Sequence, residues 1–182
     1  MASTQASREP GFRRFRPDSI RRKDIRYGIT GHRDLTTRTV EMVIVSFSEL
    51  LSKESARPIA VTCLAEGADQ LFARAVLDHG GMLDVIVPSV DYREHMTAPD
   101  AHEYDRLLDR AVRITRLPYA KSDQTTQMAA SLVVVERSSL LVAVWDGQPA
   151  RGFGGTADVV GYARQVQVPV EVVWPAGSSR GG

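Results

Sequence analysis

Six short apolar runs alternate with helix-patterned segments between residues 25 and 174, and this alternation constrains the fold more than any other feature of the chain. The runs cover residues 25–30, 59–64, 83–87, 114–117, 140–145 and 168–174. Most are apolar at consecutive positions, the pattern of strands covered on both faces. The first intervening segment opens at Thr36 or Thr37, either of which can cap a helix. Val40, Val43, Ile44, Phe47, Leu50 and Leu51 then recur at helical spacing until Arg57-Pro58 breaks the pattern. Leu71, Phe72, Ala75 and Val76 mark a second helix. Tyr104, Leu107, Leu108 and Ala111 mark a third over residues 101–112, and Met128, Leu132 and Val135 a fourth over 125–136. Residues 90–99 have no period and read as a loop. Strand–helix alternation of this kind predicts an α/β fold, a Rossmann-like three-layer sandwich with a mostly parallel sheet. Right-handed crossovers then bring every strand-to-helix loop to one edge of that sheet, where open α/β folds bind ligands.

Three of those loops carry polar and glycine residues suited to an anion. The most informative runs from Asp146-Gly147 through Gly152, Gly154 and Gly155 to Thr156, where the fifth apolar run gives way to a helix. Glycines let backbone N–H groups approach a phosphate, and a helix start adds unpaired donors and a favourable dipole. After the first run, Gly31 allows tight passage and Arg33 offers a bidentate phosphate partner. His32 can bond a ribose or phosphate oxygen. The alternative for Arg33 is an ion pair with Asp34 or Asp69. After the second run, Gly67 permits a sharp bend, Glu66 is a ligand contact, and Asp69 caps the next helix. Asp146 either meets ribose hydroxyls or serves the Asp-Gly turn. Asp158 suits the dipole of a first helical turn, and Trp145 walls the pocket or completes the core.

Composition narrows the function classes. With 182 residues, 43% of them hydrophobic, the chain suits one domain with a substantial core. Cys63 is the only cysteine, so no internal disulfide forms and a reducing, cytoplasmic compartment is expected. No apolar run approaches the length of a membrane span. Seven basic against three acidic residues give positions 1–24 a charge of +4, and the whole chain carries +1, so residues 25–182 carry −3. An acidic body argues against a nucleic-acid surface outside that basic arm. The arm reads as disordered, and residues 176–182 as a flexible tail. His79, His95 and His102 lack metal-ligand spacing. No P-loop, first-turn G-x-G-x-x-G or nucleophile elbow is present. No metal or cofactor is therefore expected.

The order of I-T-G-H-R-D-L, L-A-E-G-A-D-Q-L-F-A, D-V-I-V-P-S and V-W-D-G-Q-P-A-R-G-F-G-G-T-A-D-V-V resembles the SLOG superfamily over about residues 25–175. This group joins the Lonely Guy cytokinin-activating phosphoribohydrolases, the DNA-processing protein A family and nucleotide-sensing domains. The resemblance implies a nucleotide-type ligand and a homodimer. Val133 and Val134, outside the main stripe of the fourth helix, are candidates for the dimer interface. In the Lonely Guy motif P-G-G-x-G-T-x-x-E the loop holds phosphate and the Glu is catalytic. Counting from Thr156, Gly155 and Gly152 match, Phe153 and Arg151 replace a Gly and the Pro, and Val159 stands at the Glu position. Asp158, one residue earlier, points about 100° away on a helix. Two functions follow: a module that binds a nucleotide or nucleotide-derived ligand, or an N-glycosidic hydrolase of nucleoside monophosphates with Asp146 or Glu66 as its carboxylate. Val159 favours the first.

Overall fold

A computed structural model describes residues 24–53, 55–150 and 152–181. The basic arm at positions 1–24 lies outside them, apart from Asp24. Six strands form one sheet in the order β4-β3-β2-β1-β5-β6. They are β1 (Asp24–Gly31), β2 (Arg57–Thr62), β3 (Met82–Val87), β4 (Arg113–Arg116), β5 (Leu140–Val144) and β6 (Val170–Val172). Every neighbouring pair is parallel, so the sheet is wholly rather than mostly so. The helices are α1 (Thr37–Ser52), α2 (Ala68–Asp78), α3 (Ala98–Leu108), α4 (Gln124–Glu136) and α5 (Thr156–Gln165). With right-handed crossovers this order puts α1–α3 on one face and α4 and α5 on the other. The packing of α1 on α2, α2 on α3 and α4 on α5 agrees.

Several boundaries differ from the sequence expectation. Residues 90–99 contain a 3-10 turn at Tyr92–His95 and the start of α3, whose N-cap Thr97 accepts from the Asp100 N–H. Arg57-Pro58 does not precede β2 but begins it, which a proline tolerates at a strand start. The strand ends at Thr62 because Leu64 turns to φ 55°, a left-handed conformation rare for a branched side chain.

Phe47 of α1 and Phe72 of α2 stack edge to face at 4.9 Å, both fully buried, and Tyr27 of β1 meets Phe72 at 6.1 Å. Val43 and Leu51 complete the inner stripe of α1, whereas Ile44 is 44% exposed. Under α5, Val159, Val160 and Ala163 pack on Leu141 and Ala143. Asp84 is a buried charge on β3 that Arg26 and Arg137 neutralise, the second at 3.5 Å. Val134 is buried in the chain's own core and Val133 packs against it. Of the two interface candidates, Val134 is therefore taken up by the core and Val133 stays partly exposed.

Candidate functional site

The strand order makes β1 the switch point of the sheet. The chain leaves β1 toward α1 on one face and leaves β5, its neighbour, toward α5 on the other. Loops that diverge in this way open a crevice at the carboxyl ends of the strands. A cleft of about 360 Å³ lies there, lined by Gly31, His32 and Arg33 after β1 and by Gly152, Gly154, Gly155 and Thr156 before α5. Seven of the ten residues singled out from the sequence thus share one cavity. Glu66, Gly67 and Asp146 do not line it.

Glycine is required at Gly31 by close packing. A side chain there would meet Ala68 Cβ at 2.5 Å and Val144 Cβ at 2.8 Å. The β5–α5 loop is braced similarly. Gly154 sits at φ 80° against the Gln124 carbonyl, and its N–H donates to Asp158 Oδ2 at 2.8 Å. Asp158 therefore holds the glycine loop shut as well as suiting the helix dipole. No side chain caps α5, whose N-cap is Gly155, and the first residues of the helix, Thr156 and Ala157, line the cleft. An uncapped helix start facing a cavity leaves backbone N–H donors open to whatever enters it. Arg33 stands on the same cleft and its Nη2 donates to Gln127 Oε1 at 3.0 Å. Among the described residues Arg33 forms no ion pair with Asp34 or Asp69, although its charge acts on the Asp69 carboxyl.

Asp146 takes the turn role that was one of its two expected alternatives, and it is gripped by side chains besides. Arg180 grips it with two bonds of 2.7 Å, His32 Nε2 lies 3.2 Å from Oδ1, and the Gln148 N–H donates to Oδ1 at 3.0 Å. The last is the Asx contact of an Asp-Gly turn. Arg180 above all holds the carboxyl well below the usual carboxylate range. A group so held stays ionised and cannot serve as a general acid. Its lowered folded value means that the stability it contributes is present above the ordinary carboxylate range and is lost as pH falls through that lowered value. Asp146→Asn should cost about 1.5–3 kcal/mol at pH 7, the scale of hydrogen bonds to a charged group. The gap should narrow below about pH 4, as urea unfolding at several pH values will show.

The segment expected as a flexible tail, residues 176–182, supplies that arginine. The Gly181 N–H donates to Asp34 O at 3.0 Å, Thr39 Oγ1 donates to Ser179 O at 3.0 Å, and Arg180 bridges to Leu35. The described part of the tail is thus folded back over the turn after β1. Arg180 was illegible in the sequence, since it stands in a glycine- and serine-rich stretch with no period.

On the β2 side, Glu66 accepts from the Thr97 N–H at 3.2 Å and so helps fix the start of α3. It is a structural contact, not the cleft carboxylate expected. Gly67, at φ 77°, packs so closely on the Arg33 backbone that no side chain fits. Asp69 is not the helix cap, which is Gly67. It lies in the first turn and accepts from Thr62 Oγ1 at 2.9 Å and the Cys63 and Ala65 N–H groups at 3.2 and 3.4 Å. This network holds the left-handed Leu64 in place. Asp69, Cys63 and Tyr92 form a buried floor to the cleft. Burial lifts the Asp69 carboxyl to about 6 and pushes the Cys63 thiol and Tyr92 phenol well up. The thiol is accordingly a poor nucleophile. A carboxylate in the first turn after a threonine-ended strand was the available signal for Asp69. Val159, at the position of the Lonely Guy glutamate, is 1% exposed and faces the core.

No family model and no curated protein matches this sequence. Solved structures do match it in shape. DNA processing protein A from Streptococcus pneumoniae superposes with a TM-score of 0.63 at 13% identity over 84% of this chain and 51% of its own. The chain therefore spans about half the length of that protein. DNA processing protein A from Helicobacter pylori gives 0.59 at 18% identity, covering 86% of this chain and 68% of its own. The molybdenum cofactor binding protein from Rippkaea orientalis gives 0.52 at 17% identity, with 85% and 77% covered. At such identities the likeness establishes the architecture alone, a Rossmann-like parallel α/β fold.

Proposed function

We propose that this chain is a binding module that holds a nucleotide or nucleotide-derived ligand by its phosphate. One observation carries the reading: the uncapped start of α5 opens into a cleft beside Arg33, a cation in no ion pair with a carboxylate among the described residues. Donors at a helix start and a guanidinium together match a phosphate monoester. The ligands named for proteins of this fold, molybdenum cofactor and single-stranded DNA, differ from one another, so the fold alone does not select a ligand. The cleft chemistry does the selecting here.

Binding rather than hydrolysis follows from where the candidate carboxylates went. Asp146 is held ionised by Arg180, Glu66 is engaged at Thr97, and Val159 lies in the core. None is placed to move a proton or stabilise an oxocarbenium ion in the cleft. The buried, unpaired Cys63 accords with a reducing cytoplasm. Among the described residues no helix is long and apolar enough to cross a membrane.

Calorimetry with the four ribonucleoside 5′-monophosphates tests the reading. Arg33→Ala should weaken binding by about 1.5–3 kcal/mol, the loss of a charged hydrogen bond. A parallel assay for released base should stay at background. Base release at ordinary enzymatic rates, about one per second or faster, would replace the module with a hydrolase.

A further inference from the structure

The anion site occupies one side of the cleft, and the floor on the β2 side has no role in the function proposed above. We propose that Asp69 forms a second ligand contact, accepting through Oδ1 from a hydroxyl or amino donor on the sugar or base of a phosphorylated nucleoside. The proposal rests on the phosphate reading for the other end of the ligand.

Three observations on Asp69 support it. The residue is only 6% exposed, yet it lines the cleft. All three of its donors, Thr62 Oγ1 and the Cys63 and Ala65 N–H groups, converge on Oδ2. Oδ1 receives no hydrogen bond among the described residues. It is also absent from the sealed polar atoms there that lack a hydrogen bond, which are Asp84 Oδ1 and Ser178 Oγ. An oxygen that neither accepts within the protein nor is sealed from the outside retains access to the cavity its residue lines. A buried carboxylate normally has its acceptor sites filled, because an unfilled one in a low-dielectric site is costly. Scaffolding the loop after β2 needs Oδ2 alone, which leaves Oδ1 for a ligand donor.

The spacing suits one ligand engaging both ends. β2 and β5 flank β1, so at about 4.8 Å per strand the loops that follow them stand roughly 10 Å apart. A nucleoside monophosphate separates its phosphate from its sugar and base donors on that scale, whereas inorganic phosphate cannot reach both. The charge that acts on Asp69 is that of Arg33, and the Asp69 charge in turn acts on the Cys63 thiol and the Tyr92 phenol. His32, Asp34 and Arg180 are the other titratable or charged side chains on the same cleft. Ionised Asp69 is the better acceptor, so this contact strengthens as pH rises. Protonated His32 would favour an anion at low pH, which has the opposite sign.

The test is calorimetry of the full chain at pH 8 with the four ribonucleoside 5′-monophosphates and with inorganic phosphate. Asp69→Asn should weaken the tightest nucleotide at least tenfold while shifting inorganic phosphate less than threefold. Unchanged nucleotide affinity in Asp69→Asn overturns the proposal, as does an equal loss for both probes, which would make Asp69 a scaffold alone. A wild type that binds none of the nucleotides also overturns it. Gly155→Val probes the phosphate end separately: unchanged affinity there defeats the phosphate reading and not the Asp69 contact. If Asp69→Asn does not fold, the wild type decides with the methyl ester of the tightest nucleotide, whose phosphate charge is constant between pH 5 and 8. Affinity at least threefold higher at pH 7.5 than at pH 5 supports the contact, and a flat or falling profile overturns it.

Discussion

Gly155→Val removes phosphate binding while the protein stays folded. At the observed backbone a Cβ on residue 155 meets Ala150 Cβ at 2.8 Å, and valine adds two further methyl groups. The conformation, φ −73° and ψ 171°, suits any residue, so the conflict is one of space and not of backbone. A Cβ placed on the neighbouring Gly154 would lie 3.1 Å from the Gln124 carbonyl, so the loop runs close to α4 and has little room on that side. It must move as a unit and carry the Thr156 and Ala157 N–H groups off the anion position. Two hydrogen bonds to a charged group are then misplaced, a loss of about 3 kcal/mol or more and roughly a hundredfold in affinity. The loop lies outside both core clusters, so the unfolding free energy should change by about 1 kcal/mol or less. Calorimetry with the tightest nucleotide checks the first number and urea unfolding the second. Tenfold or smaller weakening would place the anion elsewhere.

Phe72→Ala has the largest expected effect on stability. Phe72 is fully buried where α2 meets the sheet, with Phe47 edge-on at 4.9 Å and Tyr27 at 6.1 Å. Truncation loses the transfer free energy of the ring and both aromatic contacts, and the cavity between two helices and a strand cannot close without moving all three. Such substitutions cost about 3–5 kcal/mol, a large share of the roughly 5–15 kcal/mol that keeps a domain folded. Urea unfolding should show the midpoint falling with an unchanged slope. Val45→Ala, at a position 57% exposed on the outer face of α1, should stay within about 0.5 kcal/mol and serves as the control. A loss below about 1.5 kcal/mol for Phe72→Ala would show that the three rings do not form a shared core.

The cleft was legible in the sequence to the extent that it is built from local signals. A glycine-rich turn between an apolar strand and a helix start is a property of neighbouring residues, and the loop from Gly152 to Thr156 stands where that pattern placed it. Gly31, His32 and Arg33 follow the same rule at the end of β1. The carboxylates did not, because a carboxylate takes its role from its partner. Glu66 finds Thr97 at a separation of 31 residues, Asp146 finds Arg180 at 34, and His32 meets Asp146 at 114. Val134 shows the same limit in the core, since helical spacing alone did not reveal that two faces of α4 are buried.

What the sequence by itself determined was the kind and order of the elements. Alternating apolar runs and amphipathic segments give a parallel sheet covered on both faces, with its loops gathered at one edge. Backbone preference and hydrophobic periodicity act over a few residues and need no knowledge of distant partners. Only the tertiary structure decided that β1 lies between β2 and β5, which brings the Asp69 floor and the glycine loop to opposite sides of one cleft. Only it folded residues 178–181 back so that Arg180 neutralises Asp146 and leaves Arg33 as the cleft cation in no ion pair with a carboxylate among the described residues. Such pairings depend on through-space distance between charges far apart in the chain, and local sequence carries no measure of that distance.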